Sequence, residues 1–234
     1  MDTSLDNLIP FQKIRARYAE SFSDKRFVKS FVWGFGLILI SLVINYFASL
    51  YAAERASSSV SDIILSNIPV FDVDGLFIWG PLVFWGIMIV IAFRNPKQVP
   101  FIAKNIALFV AIRAVFITLT HIGPYPDQIP MNVFGENWIQ HLTDNANFFI
   151  FSSGSDLFFS AHTGLPFLMA LIYWKNRYVR LFCIAASAFF GVVVLIGHLH
   201  YSIDVAAAFF ITYTVYHIAT IFFKKDLALF RQKA

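Results

Sequence analysis

Two stretches of this sequence carry titratable residues at the mouths of long apolar runs. One is GHLHYSIDVAAAFF, from Gly197 to Phe210; the other is GSDLFFSAHTG, from Gly154 to Gly164. His200 and Asp204 stand four residues apart in the first, and His162 stands in the second. Charged groups are costly near a bilayer interior, so their presence there points to function. On a helix a spacing of four puts two side chains on one face, about 6 Å apart in rise. Asp204 can then accept the proton on one ring nitrogen of His200, leaving the other unprotonated and basic. An imidazole so oriented is a nucleophile or a general base. Helix N-termini favour anions, and Arg113, Ser160 and Thr163 can add donors suited to phosphate oxygens. The chemistry expected of this set is work on a phosphoryl group.

These residues must be positioned by membrane helices. Of 234 residues 58% are hydrophobic and 14% charged, and the mean hydropathy is +0.67. Apolar runs at about 28–52, 75–93, 100–121, 158–174, 179–198 and 201–223 each approach the roughly 20 residues that span a hydrocarbon core. The expected fold is an all-α integral membrane protein, a bundle of six transmembrane helices. Residues 28–223 form its membrane domain.

Charge alternates between the connecting segments. Arg94, Lys97 and Lys104 lie in one without acids, whereas Asp127, Glu136, Asp144 and Asp156 lie in another without bases. Basic segments mark the cytoplasmic side. Both termini are therefore expected to be cytoplasmic, with His162 and His200 at the opposite, non-cytoplasmic face. Residues 1–27 have the spacing of an amphipathic surface helix and lack the pattern of a removable signal peptide; residues 224–234 read as a basic cytoplasmic tail. The net charge of +4 follows this topology and does not indicate a nucleic-acid partner.

The two stretches resemble the signatures of the sphingomyelin synthase branch of the type-2 phosphatidic acid phosphatase (PAP2) superfamily, C-G-D-x-x-x-S-G-H-T and H-Y-[ST]-x-D-V. The segment from Arg113 to Pro126 is similar to that branch's Arg-containing span and Pro-rich turn, and Ile68 to Asp72 echoes its first motif. The resemblance runs from Arg113 to about His217, with a PAP2-like core at about 105–220. It implies that His200 attacks phosphorus to form a phosphohistidine, that Asp204 orients and stabilises it, and that His162 protonates the leaving oxygen. Asp156 takes the motif's Asp position, for substrate contact or as an N-cap of the following helix. The implied activity is transfer of a phosphate-containing headgroup from a phospholipid to ceramide or diacylglycerol; with water as acceptor it becomes a phosphatase or a phospholipase C-like hydrolase.

The sequence departs from the pattern at Ala161, where the motif has Gly, and at Gly154-Ser155, where it has Cys-Gly. It also lacks the K-x6-R-P element of the wider superfamily, and Val193-Val194 stand in place of its Ser-Arg pair. That absence favours the synthase-like branch. His198 forms H-x-H with His200 and is a candidate substrate contact; a metal site is not expected, because side chains two apart on a helix diverge. No cofactor is expected either. A proton or lipid transporter is the rival class, and it would spread titratable groups through the membrane depth.

Overall fold

The computed structural model describes residues 10–129 and 157–232. Among these residues all regular secondary structure is helical. Helix α1 is Pro10–Ser23, α2 Lys25–Glu54, α3 Asp74–Phe93, α4 Val99–Leu119, α5 Ala161–Ile172, α6 Arg177–Ile196, α7 Ser202–Phe222 and α8 Lys224–Phe230. Five of them, α2, α3, α4 (with the short Pro96–Gln98 turn before it), α6 and α7, are long and apolar enough to cross a membrane. Leu39, Val83, Phe210 and Ile221 are more than half exposed on their outer faces, as lipid contact requires.

The fourth apolar run behaves differently. It forms the 12-residue α5, about 18 Å long against a hydrocarbon core of about 30 Å. The expected first turn is missing because Ser160 is the N-cap, with extended backbone and a side chain that accepts from Thr163 N–H. At the other end the Tyr173 N–H closes on Met169 and the chain turns through Lys175. Helix α5 is mostly buried between α6 and α7.

Small residues set the close contacts. A Cβ on Gly34 of α2 would lie 3.1 Å from the Ala103 Cβ of α4, and one on Gly80 of α3 would lie 2.6 Å from the Phe190 ring of α6. Without much difference in polarity between lipid tails and apolar side chains, such close backbone approach is what holds membrane helices together.

Polar bonds tie the helix ends into two distinct layers. At one end Tyr18 donates to Phe93 O at 3.0 Å, Lys97 pairs with Glu20 at 2.9 Å and Tyr173 donates to Gln98 at 3.0 Å. There too Lys104 meets Asp226 of α8 at 2.6 Å and Ser30 at 2.6 Å, and Ser30 donates to the other Asp226 oxygen. The tail segment thus folds back as a helix whose acid enters the bundle. At the opposite end Phe71 N–H donates to Ile196 O at 2.8 Å and Ser57 N–H to His121 O at 2.7 Å. His162, His200 and Asp204 belong to this second layer.

Candidate functional site

Helix α6 ends in a Schellman turn: His198 N–H bonds to Leu195 O and Leu199 N–H to Val194 O. The left-handed position of such a turn usually holds glycine, yet here it is His198, at φ 51°. Gly197 beside it has an ordinary φ of −85° and is needed for another reason. A Cβ there would lie 2.3 Å from the Val73 side chain.

His200 follows in non-helical backbone, one residue before the N-cap of α7, Tyr201. This changes the reason for the His–Asp contact. The two side chains do not share a helix face; Asp204, the third residue of α7, reaches back over the helix start. Its Oδ2 accepts the Tyr201 N–H at 3.1 Å and lies 3.1 Å from His200 Nδ1. Capping of the helix and orientation of the imidazole are one interaction. Both side chains are buried, His200 at 7% and Asp204 at 0% exposure. With Nδ1 donating to the carboxylate, the lone pair is on Nε2.

The second helix start is joined to the first through the backbone. Ser160 N–H donates to Asp204 O at 3.1 Å, so the N-terminus of α5, with His162 as its second residue, is held against that of α7. The His162 ring stacks on Phe77 of α3, centroids 4.0 Å apart and planes 25° apart. Ser160 and Thr163 are fully buried. The Ser160 hydroxyl caps α5, the role considered for Asp156, and the Thr163 hydroxyl faces α6, where a Cβ on Gly191 would approach it to 3.4 Å. Asp156 itself lies outside the described residues.

Arg113 is buried on α4, and its Nη1 donates to Asn45 Oδ1 of α2 at 3.4 Å. His198 is 2% exposed, meets the Tyr125 ring edge-on at 5.1 Å, and has no hydrogen-bond partner for either ring nitrogen among the described residues. Among those residues no three His, Cys, Asp or Glu side chains converge as a metal-ligand set.

Two further residues hold the site and escaped the sequence reading. Asp62, from the segment between α2 and α3, accepts the Ser202 N–H at 2.7 Å through Oδ2, and the Ile64 and Leu65 N–H groups at 2.8 and 3.1 Å through Oδ1. Burial pushes its carboxyl up, but the bonds from Ser202, Leu65 and Ile64 outweigh this and the net shift is downward. The Tyr201 hydroxyl donates to Gly123 O at 2.9 Å and accepts the Val60 N–H at 3.2 Å. One signal was available: an Asp followed at two and three residues by free N–H groups is an Asx-type turn. Its bond to Ser202, far along the chain, left no such trace.

Residues 154–221 match the family model described as PAP2 superfamily C-terminal. The matched segment contains α5, α6 and most of α7, hence His162, His198, His200 and Asp204, and leaves Arg113 outside. No curated protein and no solved structure matches the chain.

Proposed function

We propose that this chain is a membrane lipid phosphotransferase of the PAP2 superfamily, of the sphingomyelin synthase-like branch, working through His200. The observation that carries the reading is the buried His200–Asp204 pair, 3.1 Å apart, at a helix start bonded to the one that bears His162, all within the segment that matches the superfamily model. With α5 and the flanking residues counted, the chain makes six crossings, both termini are cytoplasmic, and the site opens on the non-cytoplasmic face, where basic residues are scarce.

In the reaction, the Nε2 lone pair of His200 attacks the phosphorus of the donor phospholipid. The P–O bond to the glycerol-borne lipid breaks, and protonated His162 gives its proton to the leaving oxygen. Asp204 stays ionised beside the positively charged phosphohistidine and keeps the ring in place. A lipid hydroxyl of ceramide or diacylglycerol then loses its proton to His162 and attacks phosphorus, releasing His200. Arg113 and His198 are proposed to bind the phosphate oxygens, and Asp156, as an anion, to accept from a donor or cationic group of the substrate instead; Ser160 and Thr163 shape the helix end that faces the phosphate.

The test is mass spectrometry of products from the purified protein, supplied with mixed phospholipid donors and ceramide or diacylglycerol, beside His200→Ala. A headgroup-bearing lipid formed by the wild type and absent in the variant supports transfer. Release of phosphate or phospho-headgroup without a new lipid would make water the acceptor, and turnover surviving in the variant would overturn the reading.

A further inference from the structure

A cavity of about 1170 Å³ opens at the end of the bundle opposite the His–Asp pair. It is framed by the end of α3, the α5–α6 connection, the second half of α7 and the end of α8. Along α7 it is remote from the site: His217, on its wall, lies thirteen residues beyond Asp204, about 20 Å of helical rise.

Its lining is one-sided in charge. Arg94, Lys175, Arg177 and Arg231 line it, and no Asp or Glu does among the described residues. Other cations of this layer are already engaged: Lys97 with Glu20, Lys104 with Asp226, and Arg180 over the Trp174 ring at 4.8 Å. The four in the cavity form no ion pair with an acid among the described residues. Four like charges around one hollow repel one another, and an anion between them relieves that repulsion.

The rest of the wall says what kind of anion. Apolar side chains close the inner side, and Trp174 and Tyr178, at 52% and 85% exposure, stand at the rim. Aromatic rings at a helix end beside basic groups match the interfacial zone of a bilayer, where headgroups meet acyl chains. We infer that this cavity is a binding site for the headgroup of an anionic phospholipid, in the leaflet opposite the one that the histidine site faces. The site does not depend on the proposed reaction, since none of its residues belongs to the catalytic set.

The test is native mass spectrometry of the full chain in detergent, titrated with dioctanoyl phosphatidylglycerol, dioctanoyl phosphatidylcholine or inorganic phosphate. Three proteins are compared: wild type, the cavity variant Lys175→Gln/Arg177→Gln/Arg231→Gln, and a control, Lys29→Gln/Lys224→Gln/Lys225→Gln, which removes equal charge outside the cavity. Each basic group near an anionic lipid contributes several-fold, so the cavity variant is expected to lose at least about tenfold in phosphatidylglycerol affinity. Phosphatidylcholine binding should be weaker from the start, and the control should remain within about twofold of wild type on the same scale. Equal losses in both variants would mean a diffuse basic face and overturn the site. So would unchanged binding in the cavity variant, or displacement of the lipid by inorganic phosphate. If the triple variant fails to fold, Arg177→Gln alone, at an exposed position, must still weaken binding several-fold. Because the readout is binding, a negative result here leaves the phosphotransfer reading untouched, and the reverse also holds.

Discussion

Each end of the bundle buries a carboxylate with a basic partner, and the two pairs are built oppositely. Lys104 and Asp226 come from distant parts of the chain, α4 and α8, and with Ser30 of α2 they join three helices. His200 and Asp204 are four residues apart and join nothing distant by themselves; their carboxylate orients a ring and caps one helix start. A long-range pair staples, whereas a local pair with a titratable partner is a tool whose position is fixed by other bonds. Those other bonds are Ser160 N–H to Asp204 O and Ser202 N–H to Asp62. If this division holds, damage at the histidine end lowers turnover with folding intact, and damage at the basic end does the reverse.

The largest expected effect is that of His200→Ala, which should lower turnover by about 10⁴-fold or more with unfolding temperature unchanged, by lipid-product assay and thermal melt. Asp204→Asn retains an acceptor for the cap but removes the carboxylate charge. We expect about 10²- to 10⁴-fold lower turnover, again without a large change in melting. At the other end Asp226→Ala leaves Lys104 buried without its anion. That should cost about 3–5 kcal/mol of stability, and Lys104→Met/Asp226→Leu should recover most of it. Turnover by the folded fraction should be unaffected in both, and a large loss there would break the division.

Asp62 sharpens the comparison, because it is a fixing bond at the histidine end and titrates. Its folded carboxyl lies below the ordinary value, so its contribution to stability is fully present above the unfolded carboxylate range of about pH 4 and is lost as pH falls through the lower folded value. Asp62→Asn should therefore flatten the acid limb of stability against pH, measured by thermal melts across that range. The smallest effect is expected at His198, where His198→Gly removes the left-handed strain and should raise stability by about 1 kcal/mol. An accompanying loss of turnover would assign the imbalance to function, since strain of this kind persists at sites that use it.

Much of the fold could be read from hydropathy. Five apolar runs became long helices with ends within a few residues of expectation, because lipid contact selects apolar residues along a whole span. The run at 158–174 also formed a helix, but a shorter one, because a cap at Ser160 and a turn after Tyr173 limit it to Ala161–Ile172. Asp226 fell within the segment read as a basic cytoplasmic tail, and its burial depends on Lys104, 122 positions away.

The His200–Asp204 contact was legible because it is local, although its geometry was not. A spacing of four suggested a helix face, and the pair instead straddles a helix start. Phe77 beneath His162 and Asp62 beneath Ser202 were invisible, since contacts between distant segments leave no periodicity in either.

The bond from Ser160 to Asp204 uses main-chain atoms on both sides. The bond itself needs only that residue 160 is not proline and keeps its N–H, while the Ser160 and Asp204 side chains hold the two helix starts by capping them. Descendants of this sequence can exchange the residues around the two histidines while the helix starts keep their mutual register. Side chains around the imidazoles can drift in such a lineage faster than the main-chain frame that presents them.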